Sequence, residues 1–136
     1  MSIGSLFDVA GSALSAQSLR LNLTASNLAN MHNVAGDPAA VYRARHALFR
    51  TADDAFSKTL AGVDVLSVIE SAAAPIERYD PGHPQANEQG LVYAANVNAM
   101  EEMANMISAS RSYQSNLEVL NTAKDLLLRT LSLGQG

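Results

Sequence analysis

The sequence predicts a mainly α fold, in which long N- and C-terminal helices pack as a coiled-coil-like pair around a small β-containing middle segment. Residues Ile3, Phe7, Ala10, Leu14, Gln17, Leu21, Thr24, Leu28 and Met31 recur at alternating steps of four and three. Residues Ala99, Met103, Met106, Ser110, Tyr113, Leu117, Leu120, Lys124, Leu127 and Leu131 do the same. That heptad spacing keeps an apolar seam on one helix face. Only Gln17 and Thr24 interrupt the first seam, and only Ser110 and Lys124 the second. Between the seams the helical period is lost and Pro, Gly and short β-branched runs take over. An apolar seam needs a cover, and each end of the chain offers one to the other. The boundaries read as 1–33, 34–97 and 98–136.

The first helix is expected over Ile3 to Met31, about 45 Å long, with Ser2 as a cap. Asn30 and Asn33 are stop signals, and no helix continues through Gly36-Asp37-Pro38. Gly4 and Gly11 each weaken an isolated helix by ~1 kcal/mol relative to Ala, so order there depends on packing. In the middle segment, the alternation at 63–70 suggests a strand, and Pro75 to Tyr79 reads as extended. Asp80-Pro81-Gly82-His83-Pro84 is a loop by its turn residues, and Gly90 to Tyr93 is a second short strand. Tyr42 to Phe56 is ambiguous between strand and helix. The last helix is expected from Asn98 to Leu133. Asn98 and Glu101 form a capping-box pattern, and Glu101 and Glu102 sit where the helix dipole favours anions. Lys124 and Arg129 suit the other end, Asp125 and Arg129 are spaced for an i,i+4 pair, and Gly134 marks the stop.

At 136 residues the chain is one domain, or one helical core with an insert. Aromatic residues make up 5% and Trp is absent, which suits close helix packing better than a deep ligand pocket. The net charge of −4 and scattered basic residues argue against a nucleic-acid footprint. Without Cys there is neither a disulfide nor a thiolate metal site. The stretch from Val9 to Gly36 carries a single charge, Arg20, but its many Ser, Thr, Asn and Gln side chains would be costly in lipid. The first residues lack the basic cluster of a cleavable signal peptide.

Chemistry-bearing patterns are scarce. His32, His46 and His83 have no partner at a metal-ligand spacing. Neighbours in the acidic doublets Asp53-Asp54 and Glu101-Glu102 point about 100° apart on a helix and do not converge on one substrate. Met100, Met103 and Met106 read as adaptable core fillers rather than a copper site. No nucleophile elbow, dinucleotide fingerprint or phosphate loop is present in the sequence. No cofactor, metal or catalytic residue is expected.

Particular residues carry more than their periods do. Ser15-Ala-Gln17-Ser-Leu-Arg20-Leu-Asn22, then Ser26-Asn-Leu-Ala-Asn30, resembles the N-terminal signature of bacterial flagellar rod and hook proteins. The C-terminal half resembles a proximal-rod member of that family. It does so through Tyr79-Asp-Pro-Gly-His-Pro-Gln-Ala-Asn87, Gly90-Leu-Val-Tyr93, Asn96-Val-Asn98, Glu101-Glu-Met-Ala-Asn-Met-Ile107 and Ala109-Ser-Arg-Ser-Tyr113. The likeness covers essentially the whole chain. It departs at Gly36-Asp-Pro-Ala-Ala-Val-Tyr42, where the family often has a Gly-Gly-Pro-Tyr-like turn.

The resemblance implies a structural subunit of the proximal rod, exported unfolded by the flagellar type III apparatus and assembled in the periplasm. The terminal helices would form a tubular core around the export channel and transmit torque. Implied partners are further copies of the chain, the rod proteins FlgB, FlgF and FlgG, and the adaptor FliE. The expected assembly seam is Leu14, Leu21, Leu28, Met31, Met103, Met106, Tyr113, Leu117, Leu120, Leu127 and Leu131. Gln17, Arg20, Asn22, Asn27, Asn30, Glu101, Glu102, Arg111 and Asn116 are expected to set register and subunit contacts by hydrogen bonding. From another class, a helical-hairpin adaptor or export chaperone that binds a partner helix fits the same periodicity.

Overall fold

The computed structural model describes residues 3–52 and 62–134. Its elements in chain order are α1 (Ile3–Ala29), β1 (Val34–Ala35), β2 (Arg45–Thr51), β3 (Val63–Glu70), β4 (Ile76–Tyr79), β5 (Leu91–Ala94) and α2 (Ala99–Gly134). Two long helices with a small antiparallel β segment between them make up the fold, as the periodicity predicts. The proposed Ser2 cap, the Asp53-Asp54 doublet and Phe56 lie outside the described residues.

α1 stops at Ala29, just short of the predicted Met31. The Asn30 side chain competes for the helix's own carbonyls: its Nδ2 and its backbone N–H both donate to the Ser26 carbonyl, at 2.8 and 3.1 Å. The chain then tightens, with the Met31 N–H reaching Leu28 and the Asn33 N–H reaching Asn30. This is how Asn ends a helix, by offering the backbone a local alternative. Beyond it, Asp37 closes a turn by accepting the Ala39 N–H at 2.8 Å.

The ambiguous stretch after Tyr42 resolves as strand β2, which pairs antiparallel with β3 from Arg45↔Glu70 to Thr51↔Val63, with a bulge between Leu48 and Phe49. The predicted strand at 63–70 is β3, yet nearly all of it is exposed. The second sheet has the order β1-β5-β4, antiparallel throughout. Its middle strand places Val92, fully buried, at the centre. Gly36 lies where a Cβ would stand 2.5 Å from the Gln85 carbonyl oxygen. Gly90 takes φ 74° in the return from the Asp80–Pro84 turn, so both positions need glycine.

Asn98 caps α2: its Oδ1 accepts the Met100 and Glu101 N–H groups at 3.1 and 3.4 Å. Glu101 does not complete the predicted capping box but faces solvent. At the other end the helix runs through Gly134, so its last turn holds no basic residue. Asp125 and Arg129 form no ion pair, and both are exposed.

Among the described residues α2 packs chiefly against α1, whereas α1 also carries β2 and β3 along its side. The core is made of small residues. Ala10 and Ala16 of α1, Ala109 and Ala123 of α2, and Val41, Ala44, Val92 and Ala95 are buried. Among the described residues, the largest fully buried side chains are only Val92 and Asn27.

Candidate assembly surface

The buried line of α2 differs from the predicted seam by one residue at every other position. Glu102, Ala109 and Ala123 are buried, and Met106, Tyr113, Asn116, Leu120 and Leu127 are half-buried. These eight still alternate steps of four and three, so the heptad period holds. Met106, Tyr113, Leu120 and Leu127 of the predicted seam lie on this line. Met103, Leu117 and Leu131 do not: they are 49%, 43% and 55% exposed. The predicted Leu14, Leu21 and Leu28 of α1, and Met31 just beyond its end, are half-buried, while Ala10, Ala16, Thr24 and Asn27 lie deepest. Along the α2 line the small Ala109 and Ala123 alternate with the larger Met106, Tyr113, Leu120 and Leu127, while Met103, Leu117 and Leu131 fall outside it.

Those flanks are apolar on both sides of α2. At about 100° per residue, Met103, Ile107, Leu117 and Leu128 cluster to one side of the buried line. Val119, Leu126 and Leu133, seven apart, run along the other. All seven are exposed. The second flank forms one wall of an open groove of about 460 Å³, with Leu6 of α1 opposite Val119, Ala123 and Leu126. A helix that is apolar on several sides belongs in an interior, yet among the described residues one side alone is covered.

The polar residues divide in a different way. Asn22, Glu101 and Arg111 are exposed, and Arg20 and Asn116 are half-buried. Gln17 keeps its Oε1 buried with no hydrogen-bond partner. Asn27 and Glu102 were expected as register and subunit contacts and are instead bonded within the subunit. Asn27 is 0% and Glu102 4% exposed. The Asn27 Nδ2 donates to the Arg45 carbonyl at 2.9 Å and to Glu102 Oε2 at 3.1 Å. Its Oδ1 accepts from the Tyr42 hydroxyl at 2.8 Å and from the Arg45 N–H at 2.9 Å. Every hydrogen-bonding position of that amide is used. Asn30 is likewise spent inside the subunit, on ending α1.

At the far end of the β2–β3 hairpin a second polar pin appears. Ser12 Oγ donates to the Val9 carbonyl at 2.8 Å and accepts the Val63 N–H at 3.0 Å. From Ser12 to Asn27 α1 rises about 22 Å, close to the length of β2 at about 3.3 Å per residue. The hairpin is thus laid along α1 and held at both ends. Two surface ion pairs cross it, Arg45–Glu70 and Arg50–Asp64, each at 3.4 Å. Exposed pairs of this kind contribute at most about 1 kcal/mol. The sequence signal for the Asn27 cluster is the polar Asn on the rim of the Leu seam, but its partners Tyr42, Arg45 and Glu102 lie far away in the chain.

A polar cleft is lined by His46, Asn96, Asn98, Glu101 and Glu102. Among the described residues, no group of His, Cys, Asp or Glu is arranged to hold a metal, and no helix is long and apolar enough to cross a membrane.

Comparison with known proteins agrees with the architecture. A family model described as "Flagella basal body rod protein" matches residues 7–36. One described as "Flagellar basal body rod FlgEFG protein C-terminal" matches residues 88–133. Both therefore fall on the helical ends. Along its whole length the chain is similar to proteins called flagellar basal-body rod protein FlgC. The one from Salmonella typhimurium is 51% identical over 135 residues, covering 99% of this chain and 100% of that protein. That from Escherichia coli O6:H1 is 50% identical over the same span. One from Buchnera aphidicola of Acyrthosiphon pisum is 41% identical over 137 residues, again covering 99% of this chain and all of that protein.

Proposed function

Because this chain belongs to the family of flagellar basal-body rod proteins called FlgC, we propose that it joins the rod by burying the two apolar flanks of α2 against neighbouring subunits. The chain is a structural subunit of the flagellar basal-body rod and not an enzyme. The observation that carries the proposal is α2 itself, apolar on three sides and covered on one.

In this reading the subunit sits in the proximal rod, within the periplasm, after delivery by the type III export apparatus. Its terminal helices pair in coiled-coil fashion with those of its neighbours into a tube that encloses the export channel and transmits torque. Neighbours are further copies of the chain, FlgB, FlgF, FlgG and the adaptor FliE. Each fully buried Leu contributes about 1.5–3 kcal/mol, and the flanks offer several. Arg20, Asn22, Arg111 and Asn116 remain available to set register between subunits, whereas Asn27 and Glu102 are already committed within one.

The test is Leu117→Asp and Leu126→Asp, one on each flank, in a flagellated bacterium that depends on this chain for its rod. Both variants are expected to abolish swimming and to be missing from purified basal bodies. The circular dichroism of the purified chain should stay unchanged, since neither side chain lies on the α1 contact line. Normal swimming by both would sink the proposal.

A further inference from the structure

The Asn27 cluster is more than a buried polar contact, because of what it joins. Asn27 lies near the end of α1, Tyr42 and Arg45 lead into the hairpin, and Glu102 is in the first turn of α2. The Glu102 carboxylate accepts from the Asn27 amide, whose other three bonds go to Tyr42 and Arg45. Ser26 Oγ, 3.3 Å from the Tyr42 hydroxyl, backs the same cluster.

We propose that Asn27 is a positioning residue that couples docking of α2 to the orientation of the β2–β3 hairpin on α1. The coupling follows from the geometry of a single planar amide. Its Nδ2 must face both Glu102 and the Arg45 carbonyl, and its Oδ1 must face both the Arg45 N–H and Tyr42. Turning the amide to follow one partner misaligns the others. With α2 in place, the acceptor at Glu102 holds the amide plane and hence the base of the hairpin. With α2 displaced, the amide loses the Glu102 acceptor and is held by Arg45 and Tyr42 alone, so it moves with the hairpin and no longer ties it to α2. The Ser12 pin at the other end constrains distance along α1 but does not sense α2. Hairpin orientation is thereby made conditional on pairing of the two chain ends. This holds for the subunit itself, whichever surface meets its neighbours.

The test is amide hydrogen exchange on the full-length chain, read at Arg45, whose N–H donates to Asn27, and at Ala109 in α2. Glu102→Gln keeps an acceptor oxygen for Asn27 and should leave Arg45 protection within about threefold of the parent. Asn27→Asp replaces the donor by an acceptor facing Glu102. It should speed Arg45 exchange at least tenfold. Combining Asn27→Asp with Glu102→Gln returns one donor and one acceptor to that contact and should recover part of the lost protection. Swimming should follow the same order: retained with Glu102→Gln, lost with Asn27→Asp, and partly regained in the double variant. If the double variant exchanges and swims no better than Asn27→Asp alone, or if Asn27→Asp leaves Arg45 protection unchanged, the coupling is refuted. The rod-contact proposal is judged separately, by the flank variants.

Discussion

Asn27 shows how a polar residue survives at the centre of an apolar contact: all its hydrogen-bonding positions are filled by the protein itself. The same accounting predicts unequal effects from changes around it. Tyr42→Phe removes one donor to Asn27 Oδ1 and leaves the Arg45 N–H in place, so the chain should lose only about 0.5–1.5 kcal/mol, measured by urea unfolding. Glycine positions set a different limit. Gly36→Ala drives a methyl group against the Gln85 carbonyl, 2.5 Å away, which is backbone and has no rotamer to escape into. Gly90→Ala adds the cost of a left-handed conformation, about 1–2 kcal/mol. Both should lower the unfolding midpoint. His83 is a contrast: its Nδ1 accepts the Gln85 N–H in a turn. His83→Ala should leave swimming close to normal, and a loss as complete as a deletion would show that the turn makes a contact of its own.

At the scale of elements, α1 and α2 meet with Ala, Thr and Asn deepest in the contact and the heptad leucines that share it only half-buried. A larger side chain on that line should be worse than a smaller one beside it. Ala109→Leu forces the backbones apart, with an expected cost of about 1–3 kcal/mol from overpacking, visible as lost helicity at 222 nm. Leu117→Ala should change the stability of the isolated chain by less than about 0.5 kcal/mol while weakening incorporation into basal bodies. If Leu117→Ala destabilises the isolated chain as strongly as Ala109→Leu, the contact line has been drawn on the wrong face. The hairpin follows another logic. A two-stranded ribbon is marginal in water, and here both faces of β3 are largely open. Its attachment to α1, through Asn27 at one end and Ser12 at the other, is what holds it.

For the molecule as a whole, a core built from Ala and Val leaves little apolar burial to oppose the entropy of ordering 136 residues. Much of the apolar surface that would close that gap lies on the flanks of α2, so stability should rise when neighbours cover it. NMR relaxation on the purified monomer should find the distal half of α2, where Leu126, Leu128, Leu131 and Leu133 are exposed, more mobile than the Asn27–Glu102 region. Uniform rigidity to the end of α2 in a monomer would contradict this, and would favour a self-sufficient helical hairpin.

The sequence by itself determined the two helices, their heptad period, the strand at 63–70, the extended stretch at 75–79, the short strand near 90–93, and the turn at Asp80–Pro84. Those are local matters: periodicity, Asn and Gly stop signals and the Asn98 cap act over a few residues. Its family signature was equally legible, since it is carried by runs of adjacent side chains. Only the tertiary structure decided which stripe of α2 faces α1. Apolar residues stand on three sides of that helix, so hydrophobicity does not single out a face. The choice rests on close approach, which favours Ala109 and Ala123 over Leu117 and Leu131. The tertiary structure also decided that Asn27 and Glu102, 75 residues apart, bond to each other inside one subunit. No local pattern encodes a hydrogen bond across that distance; folding creates it when both ends of the chain meet.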